Sequence, residues 1–228
     1  MYGLVGHNSN SFDAPFLLRR SWALGVKVNR NLLPQKRYWP DLWIDTMELW
    51  GSGVFGERIS LDRMAKHFGL AGKNGDGSKF AELLKSDPEA AKEYCLNDLR
   101  LTRDIHERIL KLQGDDHDYN TLTYFDIETG PLPEDEIERI APEFNPANVK
   151  VGAMGFEKAQ EKVAQARVGH LDGIKSKAAL NAEYGQVLGI GYIMPDGEEV
   201  FKHGPEKELV SDFWELAGMI HLGRPIKP

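Results

Sequence analysis

The sequence predicts an α/β fold in which five short strands form a sheet flanked by helices. Three observations carry that reading. Runs rich in β-branched, aromatic and small apolar residues read as strands at 2–6, 121–127, 186–193 and 199–203, and a fifth run, 43–46, reads as a short strand or the start of a helix. Between the strands, apolar residues recur at helical spacing, most clearly at Tyr94, Leu99, Thr102, Ile105, Ile109 and Leu110. Pro195-Asp196-Gly197 marks a tight turn between the last two strands, so that pair is a hairpin.

The elements follow in order. Tyr2 to Gly6 is a short buried strand, and His7 to Ser11 is polar and turn-like. Ser11 is placed to cap a helix running through Phe12, Phe16, Leu17, Arg20 and Leu24 and ending near Gly25. Ser60 caps a helix to Phe68, which Gly69 stops. Residues 72–77, Gly-Lys-Asn-Gly-Asp-Gly, form a loop by composition. Asp87-Pro88-Glu89 opens the next helix, with Pro in its first turn. Residues 114–120 are polar and unpatterned and read as a linker between two halves, 1–113 and 121–228. Within the second half, residues 131–183 form a charged insert, read as an exposed helical arm that could cover a substrate entry. Glu208 to Ile220 is an amphipathic helix.

A chain of 228 residues with 41% hydrophobic and 28% charged residues can bury a sizeable core as one domain. No apolar run approaches the roughly 20 residues that cross a bilayer, and the opening residues lack a basic, apolar leader. The single cysteine, Cys95, excludes an internal disulfide and fits a reducing, cytoplasmic setting, where it reads as a small buried thiol. The net charge of −7 argues against strong nonspecific affinity for nucleic acid. Against that, no acid lies between Asp13 and Asp41, where Arg19, Arg20, Lys27, Arg30, Lys36 and Arg37 interleave with Trp22, Tyr38 and Trp39. Cations beside aromatic rings suit a single-strand track; the alternative is a solvated helix face followed by core aromatics.

Four acids stand out. Asp126 and Glu128 are two apart on a strand, so both leave the same face. Asp98 lies four residues after Tyr94 on one helix surface. Asp13 opens a helix just after a strand, at the edge where open α/β sheets build sites. Carboxylates packed together are costly unless cations neutralise them. Hard oxygen donors favour Mg2+ or Mn2+ over Zn2+. Two such ions about 3.5–4 Å apart can clamp the attacking and leaving oxygens of a phosphodiester hydrolysis.

The stretches Tyr124-Phe125-Asp126-Ile127-Glu128, Asn8-Ser9-Asn10-Ser11-Phe12-Asp13 and Tyr94-Cys95-Leu96-Asn97-Asp98 resemble the Exo I, Exo II and Exo III motifs of DEDDy 3′-5′ exonucleases. These belong to the DnaQ-like branch of the RNase H-like fold, and the Exo II and Exo III regions resemble the family-B polymerase proofreading group. Gly69 to Lys73 resembles that group too. The tyrosine at 94, with no histidine near Asp98 on its N-terminal side, points to the DEDDy rather than the histidine-bearing branch. The family reads I, II, III along the chain; this one reads II, III, I, as if circularly permuted. Joining residues 121–220 to residue 2 restores the family order, with three antiparallel strands, a helix, then parallel strands and helices. The seven residues 114–120 reach up to roughly 25 Å, enough to bridge the family's two termini. A natural permutation, a deliberately constructed one (favoured by Met1 directly before a strand that belongs mid-domain) and a domain-swapped dimer are all open.

The resemblance implies a 3′-5′ exonuclease acting on single-stranded DNA 3′ ends and releasing nucleoside monophosphates with two Mg2+ or Mn2+ ions. Asp126 would bridge both metals, Glu128 and Asp98 would hold the one carrying the attacking water, and Asp13 would serve the second. Tyr94 would orient that water. Asn8, Phe12, Thr129 and Gly130 would contact nucleic acid; against this, Asn8 reads as a turn residue, Phe12 as a core aromatic and Gly130 as a strand stop. His7 and His203 read as packing or surface residues, and Lys73 as a solvated loop lysine able to touch phosphate. The substrate could instead be RNA, and a permuted core whose motifs fail to meet would be an inactive nucleic-acid-binding module.

Overall fold

Strand β1 (Gly3–Gly6) is buried along its whole length because it is paired on both sides. The computed structural model describes residues 2–34, 40–52, 54, 56–73, 75, 77–114 and 121–223. Helix α1 (Asp13–Leu24) follows β1 and stops at Gly25, whose left-handed backbone returns its N–H to Ser21 and Trp22 carbonyls. Its cap position is Phe12, without a side-chain bond. Ser11 does not cap it, because the 8–12 turn closes on itself: the Asn8 carbonyl accepts the N–H groups of Ser11 and Phe12. Residues 43–46 satisfy both readings of that run. β2 (Trp43–Asp45) runs directly into α2 (Thr46–Gly51), capped by Asp45.

Helix α3 (Leu61–His67) carries the expected Ser60 cap and ends before Gly69. Helix α4 (Phe80–Ser86) was not legible in the sequence; it is short, and its one buried residue, Phe80, gives too little periodicity to register. Helix α5 (Pro88–Leu112) begins as expected, with Asp87 accepting the Ala90 N–H and Pro88 in its first turn. β3 (Leu122–Pro131) runs four residues beyond the expected end and keeps Glu128, Thr129 and Gly130 on the strand.

The chain divides into two compact units, one of residues 1–129 and 187–228, the other of residues 130–186. The second holds α6 (Glu134–Ile140), α7 (Phe156–Val168) and α8 (His170–Lys175). Its small core joins Leu132, Ile137, Ala178 and Tyr184 to Ile140, Leu171 and Ile174. Helix α7 buries no residue and leaves Phe156 and Val168 exposed. β4 (Gly185–Ile193), β5 (Glu199–His203) and α9 (Glu206–His221) complete the chain.

Among the described residues the sheet has five strands in the order β2-β1-β3-β4-β5. β1 is parallel to both β2 and β3, and β4 is antiparallel to β5, so the sheet is mixed. One face meets α5, whose Cys95, Leu96 and Leu99 pack on Val5, Leu122, Tyr124 and Ile193. α3 packs outside α5 through Met64, Ala65, Leu101 and Ile105. The other face carries an aromatic cluster of Trp43, Phe125, Phe213 and Trp214. There α9 is tied to α1 by the Trp214 indole N–H, which donates to Ser21 Oγ at 2.7 Å. Arg20, expected in a cationic track, is buried in this layer. Its Nε and Nη2 donate to the two carboxylate oxygens of Glu206, both at 2.7 Å. No described helix is long and apolar enough to cross a membrane.

Candidate active site

The parallel strands deliver carboxylates to one edge of the sheet. Gly6 pairs with Asp45 at the end of β2, and Asp13 follows the turn after β1. β1 and β3 pair as far as Val5 with Tyr124, and β3 continues past the end of β1. There the N–H of Ile127 donates to Asp13 Oδ1 at 3.3 Å. Strand alternation puts Asp126 and Glu128 on the same face as Tyr124, the face that α5 covers with Cys95 and Asp98.

All four sequence-predicted acids therefore lie within range of one another's charge in one chain, and Asp126 and Glu128 share a tighter group with Cys95 that Asp13 and Asp98 do not join. Burial, then the charges of Asp13, Glu128 and Asp98, push the Asp126 carboxyl well above the ordinary range. Burial and the Asp98 charge raise Glu128, and burial with the Asp45 charge raises Asp13. Asp98 is raised by burial even though Lys73 opposes the shift. Three of the four are buried and Asp126 is half-buried. Asp98 Oδ1 has no hydrogen-bond partner.

Tyr94 is packed through its ring and reaches the acids through its hydroxyl. Its ring contacts Phe80 at 6.0 Å between centroids, and its hydroxyl reaches hydrogen-bonding range of Asp98 and Lys73. Burial and the Asp98 charge push this phenol up to about 12, so it stays protonated at neutral pH. Gly75 lies against it: a Cβ there would come within 2.8 Å of the ring, so only glycine fits that approach.

Three residues take parts that the sequence did not reveal. Lys73 is not a solvated loop lysine: its ammonium lies 2.5 Å from Asp98 Oδ2, and Asp98, Tyr94 and Asp126 together hold its pKa above the ordinary lysine value despite desolvation. Its own backbone N–H donates to Asp62 Oδ1 at 3.1 Å, which anchors the loop to α3. Asp45 is a fifth acid at this edge and is itself buried. It accepts the N–H groups of Asn8 at 2.8 Å, Asn10 at 3.0 Å and Met47 at 2.9 Å, so it holds the turn that aims Asp13. Cys95 places its sulfur with Asp126 and Glu128 carboxylate oxygens, all within 4.8 Å of one another.

The expected substrate contacts divide. Asn8 has φ of 63°, a left-handed conformation that Asn tolerates better than most residues, so it does serve as a turn residue. Its Oδ1 is buried without a partner. Phe12 is half-exposed with its ring 5.6 Å from that of Phe16. Thr129 is half-buried and Gly130 buried on β3, and Gly130 is not in the left-handed region. His7 packs as expected, its ring nitrogens 2.9 Å from Thr46 Oγ1 and 3.0 Å from the Ile59 carbonyl, and burial lowers its pKa to about 4. His203 is exposed beside the Phe201 ring. Arg19, Trp22, Lys27 and Arg30 are exposed, whereas Lys36, Arg37, Tyr38 and Trp39 lie outside the described residues.

Comparison of the chain with protein-family models, characterised proteins and solved structures finds no match.

Proposed function

We propose that this protein is a metal-dependent 3′-5′ exonuclease that hydrolyses phosphodiester bonds at single-stranded DNA 3′ ends, built on an RNase H-like core in circularly permuted order. One observation carries the reading. Acids from three separated stretches gather so closely that Asp126 feels the charges of Asp13, Glu128 and Asp98, and Glu128 feels those of Asp98 and Asp13. Parallel β1 and β3 beside an antiparallel β4–β5 hairpin agree with the permuted family order, while residues 115–120, the expected bridge, lie outside the described residues.

The donor set suits hard divalent cations: it is rich in oxygen, carries excess negative charge, and includes an orphaned carboxylate oxygen on Asp98. Asp126, which feels all three other acids, would hold the ions together with Glu128, Asp98 and Asp13. Mg2+ or Mn2+ bound there would neutralise the acids, polarise the scissile phosphate and activate water.

The chain's own groups set the geometry. Asp45 holds the Asn8–Asn10 turn and so fixes Asp13. Tyr94, protonated at neutral pH, donates or accepts a hydrogen bond beside Asp98 and orients water rather than abstracting its proton. Lys73 balances Asp98 until a divalent cation takes over that charge.

The test is a 5′-labelled oligonucleotide incubated with Mg2+. Wild type should produce a ladder, and Asp126→Ala should not, while its melting curve stays cooperative. Laddering by Asp126→Ala at the wild-type rate ends the proposal. An RNA oligomer of the same sequence, run in parallel, separates DNA from RNA preference.

A further inference from the structure

We infer that Cys95, Asp126 and Glu128 form a site for a thiophilic divalent cation of the Zn2+ or Cd2+ class, overlapping the acid cluster and blocking it. Ligand atoms of the three lie within 4.8 Å of one another, close enough for one ion to reach all three after small side-chain shifts. The sulfur is held in place from behind. A Cβ at Gly191 on β4 would lie 2.6 Å from Cys95 Sγ, so the absence of a side chain there makes the space the thiol occupies.

A second observation points to a ligand. Asp98 Oδ1 is orphaned on a residue only 3% exposed, and its carboxylate bears electrostatically on Asp126, Glu128 and Cys95. Asp98 lies outside the group of three mutually close ligands, so water would complete the tetrahedral set that Zn2+ prefers.

The sulfur changes which ions the site prefers. Mg2+ and Mn2+ gain little from a thiol, whereas soft thiolate ligands select later metals. On binding, the Cys95 S–H proton leaves to solvent and a sulfur–metal bond replaces the S–H bond. Oxygens that the hard ions need are then taken. The blocking rests on the exonuclease reading; the binding does not.

The experiment titrates Cd2+ into the metal-free protein and follows the ultraviolet thiolate-to-cadmium charge-transfer band. The chain has one cysteine, so any such band reports Cys95. Wild type should saturate at one ion per chain. Cys95→Ser should show no band and bind Zn2+ at least tenfold more weakly by calorimetry. Asp126→Asn should weaken the band's midpoint by a similar factor. No band in wild type, or a midpoint unmoved by Asp126→Asn, overturns the inference, and the wild-type titration decides even if Cys95→Ser fails to fold. In the nuclease assay, micromolar Zn2+ should inhibit wild type against excess Mg2+. A cadmium band in a protein that never cuts DNA would sink the exonuclease reading and leave this site standing.

Discussion

Two sets of buried charge lie in the larger unit, and they are handled in opposite ways. The Arg20–Glu206 pair, on the α1–α9 layer, is fully matched. Two guanidinium donors meet two carboxylate oxygens at 2.7 Å, and Glu206 also accepts the Val187 N–H at 2.8 Å. The acid edge gathers Asp13, Asp98, Asp126 and Glu128 around one lysine, with one oxygen orphaned. A matched pair fixes packing. An unmatched cluster carries charge repulsion that proton uptake or a bound cation relieves, which makes it a candidate site.

The contrast can be broken most sharply by deleting one charge from each set. Asp126→Ala should lower oligonucleotide hydrolysis by about three orders of magnitude or more, with a melt no lower than wild type in the absence of metal. Arg20→Ala should do the reverse. It strands Glu206 and should cost about 3–5 kcal/mol in denaturant unfolding, while the folded fraction keeps its activity. Equal loss of both properties in both variants would remove the distinction.

A smaller effect concerns pH. The four acids are held above their unfolded values, so their contribution to stability is present below about pH 4 and is lost as pH rises through the raised folded values. Buried His7 and His106, both lowered to about 4, push the other way as pH falls below 6.5. The clean reading is therefore a difference. In chelator, Asp126→Asn should melt higher than wild type at pH 8, by on the order of 1 kcal/mol, one pKa unit of relief. That gap should shrink toward pH 5. A gap that is flat with pH would mean the acids do not repel one another.

The smallest effect separates the resident cation from an incoming one. Lys73→Gln frees Asp98 and should tighten Mn2+ binding about tenfold, about 1.4 kcal/mol, measured by calorimetry. Weaker binding would show that Lys73 supports the ion rather than standing in its place.

Much of the fold was legible. The α5 start at Asp87-Pro88, the α1 stop at Gly25 and the Pro195–Gly197 turn of the β4–β5 hairpin all follow from local chemistry. Local chemistry also misled. A serine before an apolar run is a good cap by type, yet Ser11 lost that place to a turn pinned from 37 residues away, where Asp45 takes the Asn8 N–H. Arg20 looked like part of a cationic track, and its partner lies 186 residues on. Of that track, Trp22 remains 67% exposed beside Arg19, but no described contact ties it to the acid edge.

What the sequence determined by itself is what repeats within a turn or a pleat. Asp126 and Glu128 share a strand face and Tyr94 and Asp98 share a helix surface, because side-chain direction follows backbone period. Only the tertiary structure decided which faces meet. It brought Asp13 to the Ile127 N–H, Lys73 to Asp98, and the Cys95 sulfur to the acids on β3. Those contacts join residues far apart along the chain, and they are fixed by sheet order and by how α5 packs across the sheet, neither of which any local window encodes.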